Sequence, residues 1–556
     1  MADLLSNNNK KIILLGNEAI VRGALESGVQ FISTYPGTPA SEIGNNFCKL
    51  AKDAGVYFEF STNEKTAVEA GIGASFSGLK CLVAMKNFGL NVALDSLLPF
   101  FYTGTKGPTV IVVADDPSCH SSAQSEENTR GFAFIGHMPM LEPADSQECY
   151  DFVKLGFEIS AQFSLPVIIR TTTRVAHQRS VVKIGEFNKP KSIVGEFISN
   201  KHQFVTMPPR VLEMHQELIT KIEELRKFAE KSAVNRVFNE DKSVKLGVIA
   251  SGVSFLHTME ALKMLGVNVP VLKLGFFYPL PVEKIKNFIK PLKKLLIVEE
   301  LDPYLEKEVM AIAKTANCKV EIFGKDLLSE VGELESTVVM KAIAKIVGKK
   351  IVVASIVQVK QIKHAPRFCV TPVCPYWRLF AAVKQALPDT TIFGGDIGCY
   401  MIAAFPPTNL YDYMFCMGSS IGIGHGIAKG TNGRQKIVAF IGDGTFLHAG
   451  IPALMNAVYN KSNILVIIGD NRITAMTGHQ PNPGMGKGST GEAAPEIKIE
   501  EIVKALQVQH LRVVDPVDNF AETVQAIKDF AVKDEVAVII ARRTCALLEQ
   551  KVKNSL

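Results

Sequence analysis

Thirty residues near the C-terminal end, Gly442 to Asn471, leave little choice of fold. Five apolar residues, 437–441, read as a strand that runs into Gly442-Asp443-Gly444. An amphipathic segment follows, then a second β-rich run over 464–468, then Asp470-Asn471. The 26 residues between Gly444 and Asn471 hold a loop, a helix and a return strand, so the two strands become parallel neighbours. Asp443 and Asn471 then stand at the C-terminal ends of those strands, where open α/β sheets bind ligands. A carboxylate and an amide oxygen suit Mg²⁺ held against a diphosphate, and the following helix N-terminus faces the phosphates. Asp-Gly alone is an ordinary turn signal. Its place after a strand and before a helix, with Asn at this distance, turns it into a site.

The same alternation runs through the rest of the chain. Apolar runs at 11–15, 30–34, 81–85, 110–114 and 165–170, with helical stretches between them, predict a doubly wound parallel sheet over residues 1–180. Runs at 246–250, 269–273 and 295–298 predict a second α/β unit over 244–350. Between them, residues 181–243 read as a connector, with Pro190, Pro208 and Pro209 around irregular chain and a 3.6-period helix over Arg210–Lys231. Residues 351–366 read as a linker and 367–556 as the domain holding the opening stretch. A chain of 556 residues, 47% of them hydrophobic, fills several such cores. The net charge of +6 is spread along it, which points to neither nucleic acid nor an anionic membrane. No apolar run reaches bilayer length, and MADLLSNNNKK lacks the core of a signal peptide. The ten cysteines lie far apart, as expected of reduced thiols in a cytoplasmic protein. Cys369 and Cys374, without a second pair, make a weak metal site.

Two places in the first domain look chemical. Tyr35-Pro36-Gly37-Thr38 forms a strand-to-helix loop that read alone is only a loop. Glu64 follows the strand-like run 57–61 at the start of a helix. The helix dipole alone explains many acidic residues there, but a glutamate at a strand-end cleft is also placed for catalysis, and Glu64 fits that position better than Glu69. In the last domain, Gly394-Gly395-Asp396-Ile397-Gly398-Cys399 follows a strand, and Cys416-Met417-Gly418 leads to a run with Ile421 and glycines at 422, 424 and 426. Those glycines imply close backbone approach, either to a ligand or to a packed helix. After Asn471, the polar loop with Ile473, Thr474, Thr477 and His479 is placed to cover a diphosphate.

GDG followed about thirty positions later by Asn resembles the thiamine diphosphate (ThDP) signature. GNEAIVRGALESGV (16–29), TYPGTPASEI (34–43), NEKTAVEAG (63–71), GLNVALD (89–95), ADDPSCHSS (114–122), MLEP (140–143) and RTTTRVAH (170–177) together resemble the α subunits of indolepyruvate ferredoxin oxidoreductase. The resemblance covers nearly the whole chain. It implies ThDP-binding folds, with a pyrimidine-binding domain first, a transketolase C-terminal-like domain in the middle and a diphosphate- and Mg²⁺-binding domain last. It implies that Asp443, Asn471 and the Ile473 carbonyl hold Mg²⁺, and that Glu64 hydrogen-bonds the aminopyrimidine and activates the cofactor. Tyr35, Pro36, Gly37, Thr38, Gly395, Asp396, Ile397, Cys399, Gly442, Gly444, Thr445 and Thr474 then line the cofactor, with Met417 or Ile421 propping it into a V. His120, His479 and Asn87 are candidates for the substrate side. The implied activity is oxidative decarboxylation of 2-oxoacids, aromatic ones foremost, to acyl-coenzyme A. The implied partners are a small second subunit and ferredoxin, in a homodimer or heterotetramer.

Three departures bear on the reaction. Family members usually continue into a cysteine-rich ferredoxin-like domain, whereas this chain stops at Leu556 without a C-x₂-C-x₂-C run. No iron–sulfur cluster is therefore expected in this chain, and a separate iron–sulfur protein would take the electrons. The family's Cys-Pro-Gly-Cys-Pro-His is Thr371-Pro372-Val373-Cys374-Pro375-Tyr376 here, and its Met-Lys-His is Met85-Lys86-Asn87. A ThDP decarboxylase or carboligase that protonates the intermediate or condenses it, instead of oxidising it, is the alternative. A non-catalytic subunit that only binds cofactor is the third reading.

Overall fold

The structure, a computed structural model, describes residues 4–7, 10–121, 123–241, 243–350 and 374–553. They form two compact units, Met1–Ile356 and Val357–Leu556. The expected linker at 351–366 lies outside the described residues, as do Cys369 and Thr371 to Val373.

The first unit has fourteen strands among the described residues. They are β1 (Lys11–Leu15), β2 (Phe31–Thr34), β3 (Tyr57–Phe60), β4 (Cys81–Lys86), β5 (Thr109–Asp115), β6 (Met140–Leu141) and β7 (Val167–Thr172), then β8 (Arg179–Lys183), β9 (Arg236–Phe238), β10 (Leu246–Ser251), β11 (Val271–Leu274), β12 (Phe276–Tyr278), β13 (Lys294–Val298) and β14 (Glu321–Phe323). The main sheet runs β12-β6-β7-β5-β4-β2-β3 and is parallel apart from β12, which joins β6 antiparallel. One expectation needs correcting. The run at 11–15 is not part of this sheet; β1 pairs antiparallel with β8 as a separate ribbon. A parallel strand must be buried on both faces. β5 and β7 are buried throughout, whereas most of β1 is exposed or half-buried.

A second sheet, β14-β13-β10-β11-β9, is parallel except for its edge strand β9. The two sheets are stitched twice. β12, two residues after β11, crosses into the main sheet. A buried ionic network also spans them: Arg130 bonds Glu142 and Glu299 at 2.6 and 2.8 Å, and Arg170 bonds Glu142 at 2.8 Å. Helix Arg210–Lys231 lays Met214, Leu218, Ile222, Leu225 and Ala229, spaced by three and four, against this body.

The second unit is one parallel sheet of six strands: β15 (Ile392–Gly395), β16 (Tyr413–Met414), β17 (Ile437–Gly442), β18 (Ile464–Asp470), β19 (His510–Val514) and β20 (Ala537–Arg542), in the order β16-β15-β17-β18-β20-β19. β17 and β18 are buried throughout, which is why both read as unbroken apolar runs. Among the described residues no helix is long and apolar enough to cross a membrane.

Candidate functional site

β17 and β18 are paired from Ile437↔Ile464 to Gly442↔Gly469. Asp443 therefore leaves one strand end directly beside Asp470-Asn471 at the next. All three side chains are buried, with 4%, 3% and 5% exposure. From Asp443 the chain turns at once into helical conformation as far as Tyr459. Asp443 accepts from Asn482 Nδ2 at 2.9 Å, and Asn482 in turn accepts from the Gly484 amide. Burial, then the neighbouring Asp470 carboxylate, pushes the Asp443 carboxyl well above the usual range. Asp470 is anchored instead, by Arg542 Nε at 2.7 Å, and Arg542 also pairs with Glu500.

Asn471 Oδ1 accepts only a long bond from the Ile473 amide, 3.3 Å. A side chain on Gly444 would stand 3.1 Å from Thr474 Oγ1, which places Thr474 over the turn. The covering loop is closed by paired bonds between Thr474 and Gln480, both 3.0 Å, and by Thr477 Oγ1 donating to Gln480 at 2.6 Å. His479 lies half-buried in that loop, 3.7 Å from Cys545 Sγ. A buried carboxylate and a buried amide oxygen at adjacent strand ends are hard donors, which a divalent cation would stabilise. Mg²⁺ accepts such a set when phosphate oxygens and water complete its octahedron.

Three glycines at or near the strand ends, Gly395, Gly442 and Gly469, pack against aromatic rings. A Cβ at Gly395 would stand 2.4 Å from the Tyr411 ring, at Gly442 2.5 Å from Tyr400, and at Gly469 2.6 Å from Tyr376. They make room for a belt of buried tyrosines under the strand ends. Tyr400 and Thr445 hydroxyls both donate to the Ile397 carbonyl, at 2.7 and 2.9 Å, which ties that loop to the Asp443 turn. Asp396 is fully buried, and its two oxygens accept from the amides of Ile397, Gly418 and Ser420. Its carboxylate thus fixes the start of helix Ser419–Gly430. Ile421 packs in the core beneath that helix with Ile437 and Ile441, whereas Met417 is half-buried in the preceding turn. Gly424 packs against Tyr413, while Gly422 and Gly426 face open space. Cys399 is half-buried at the start of a short helix.

In the first unit, Asn63 caps helix Glu64–Phe76 through the Thr66 amide, 2.8 Å. The next residue, Glu64, is 6% exposed and lies on Gly89, where a Cβ would stand 2.5 Å from its Cγ and 3.0 Å from Oε1. Glu69 is an exposed partner of Lys65 and Ser96. The loop after β2 holds Tyr35 and Pro36 buried and Gly37 and Thr38 half-buried, with Gly37 packed so that a Cβ would be 2.7 Å from Lys86 Cβ. Asn87 is fully buried beyond β4, and His120, 45% exposed, reaches Glu333 at 3.4 Å. Asn482 and Glu127 went unnoticed in the sequence because they belong to no motif. Only the adjacent Asn482-Pro483-Gly484 turn chemistry hinted at the first.

Residues 396–541 match the family described as "Thiamine pyrophosphate enzyme, C-terminal TPP binding domain". Residues 22–241 match "Pyruvate flavodoxin/ferredoxin oxidoreductase, thiamine diP-bdg". The chain is 44% identical to the indolepyruvate oxidoreductase subunit IorA of Methanothermobacter thermautotrophicus, over 98% of this chain and 89% of that one. It is 41% identical to the subunit of the same name from Pyrococcus horikoshii, over 97% and 86%. With the 2-oxoglutarate synthase subunit KorA of Archaeoglobus fulgidus it shares 26% identity, over 57% of this chain and 96% of that one.

Proposed function

This chain belongs to the family of indolepyruvate oxidoreductase subunit IorA, ThDP-dependent 2-oxoacid oxidoreductases, and from that membership we propose how its residues divide the work. It is one subunit of a multi-subunit enzyme, and we propose indolepyruvate and related arylpyruvates as its substrates. The observation that carries this reading is the pair of adjacent parallel strands ending in Asp443 and Asn471, both buried, beside Thr474. When bound, ThDP supplies the electron sink for the pair released as a 2-oxoacid loses CO₂.

The chain's residues supply binding, orientation and one proton transfer. Asp443, the Asn471 amide oxygen and the Ile473 carbonyl would hold Mg²⁺, whose charge would offset that of the diphosphate. Gly444, Thr445 and Thr474 would meet the phosphates at the helix start, where backbone N–H groups are free to donate. Asp396 holds the Gly418 turn in shape, and Met417, the better placed of the two apolar candidates, would contact the ring system. Glu64, buried on Gly89, would hold the proton on the aminopyrimidine nitrogen and so set the cofactor's active tautomer. Tyr35 to Thr38 would line the same ring.

Electrons would leave to ferredoxin, and coenzyme A would take the acyl group. The enzyme assembled with its second subunit, given ThDP, Mg²⁺ and indolepyruvate, is expected to release CO₂ only when coenzyme A and an electron acceptor are both present. Release of CO₂ and arylacetaldehyde without an acceptor would overturn the oxidative assignment in favour of a decarboxylase.

A further inference from the structure

A second group of polar side chains sits at the C-terminal ends of β4 and β5; the division of work proposed above uses none of it, although Asn87 is among the substrate-side candidates read from the sequence. Lys86 ends β4, and its amine donates to Ser121 Oγ at 2.9 Å and lies 4.9 Å from the centre of the Phe88 ring. Ser121 in turn bonds Asp116, so the amine is held in place by a chain of hydrogen bonds. Of its three N–H groups, Ser121 takes one. The next residue, Asn87, is fully buried, and neither its amide nitrogen nor its oxygen has a partner among the described residues. One helical turn on, Asn91 Nδ2 donates to Glu127 Oε2 at 2.9 Å, while Glu127 Oε1 is buried without a partner among the described residues.

Buried polar atoms are almost always bonded. An amide with both ends unbonded costs several kcal/mol, which folded chains tolerate where a ligand completes the bonding. The charges narrow down that ligand. Burial pulls the Lys86 amine down from its usual value, while Asp116, Cys119, Glu127 and Glu64, all within electrostatic reach, favour its charged form. Burial first, then the nearby Asp115, pushes the Glu127 carboxyl up to about 7. At neutral pH and below, Glu127 is therefore in large part a protonated donor. Lys86, Asn87 Nδ2 and protonated Glu127 are three donors with unused capacity, and Lys86 lies near the glutamate that activates the cofactor.

We propose that Lys86, Asn87 and Glu127 form the subsite for the carboxylate and keto oxygens of the 2-oxoacid, with Lys86 pairing the carboxylate. This rests on the reading of Glu64 as the activating residue. It needs neither His120, which is paired to Glu333, nor His479, which lies in the other unit.

The test uses the assembled holoenzyme and three variants, with phenylpyruvate as the probe acid. Lys86→Met should raise KM about 10- to 100-fold, the loss expected for a hydrogen bond to a charged group, and leave ThDP affinity by calorimetry unchanged. Lys86→Arg should recover part of that loss. In the wild type, kcat/KM should fall as pH rises through about 7, when Glu127 becomes a carboxylate and repels the acid. Glu127→Gln, a permanently neutral carboxamide, should remove that fall. A KM unchanged in Lys86→Met, an equal weakening of ThDP and acid, or an unaltered pH profile in Glu127→Gln would each overturn the proposal. If the wild type failed to bind ThDP, the underlying cofactor reading would fail instead, and calorimetry separates the two.

Discussion

At the scale of single residues, the account turns on how a few buried oxygens are held. Asp443 was legible in the sequence because a carboxylate between two glycines after an apolar run has few structural uses. Its partner Asn482 was not, since the loop that returns it lies 39 positions away and carries no periodic signal. An outer partner of a metal-binding carboxylate typically controls about 10- to 100-fold in metal affinity. Asn482→Ala should weaken Mg²⁺-dependent ThDP binding by that factor, read by titrating the cofactor at several Mg²⁺ concentrations. Affinity equal to wild type would leave Asn482 a packing residue. Asp443→Ala should lose the Mg²⁺ dependence altogether.

At the scale of elements, the strands were easy to read and their neighbours were not. Parallel strands covered on both faces read as continuous apolar runs, and β4, β5, β7, β17 and β18 all stood out. β1 has a similar composition but only a ribbon partner, because register and pairing depend on chain far away in sequence. The glycines carry no such signal of their neighbours: Gly395, Gly442 and Gly469 make room for tyrosine rings that lie up to 93 positions away in the same unit. Asp396 is the clearest element-scale device, since its carboxylate joins the end of β15 to the start of helix Ser419–Gly430. Asp396→Ala leaves three amides without that acceptor and should cost about 3 kcal/mol in thermal or urea unfolding. Asp396→Asn, keeping one acceptor oxygen, should cost less. Equal stability of all three proteins would show the carboxylate to be dispensable.

At the scale of the molecule, each unit carries its own part of the proposed chemistry, and the first is welded from two sheets through charge. Removing one member of a buried ion pair costs about 3–5 kcal/mol, so Arg130→Met should lower the unfolding free energy of the first unit by that much, read by urea unfolding. The network also gives stability a pH dependence of two signs. Burial alone would raise Glu142, but Arg130 and Arg170 outweigh it and draw the carboxyl down to about 2. Its contribution is full above the ordinary value of 4.5 and is lost as pH falls through about 2. Glu300 behaves oppositely: burial pushes it up to about 7, so its contribution is present below 4.5 and is lost as pH rises through about 7. Glu300→Gln should therefore raise the thermal midpoint at pH 8 and change little at pH 5; a loss at pH 8 would contradict this. None of this network was visible beforehand, because its members lie up to 169 positions apart. The central proposal is that Glu64 activates the cofactor and that Asp443 helps hold it. Its most direct test is the rate at which the C2 hydrogen of ThDP bound to the full chain exchanges with deuterated solvent. The account predicts that Glu64→Gln still binds ThDP and Mg²⁺ stoichiometrically but slows that exchange by at least about 100-fold. Exchange at the wild-type rate in the fully loaded variant would contradict it.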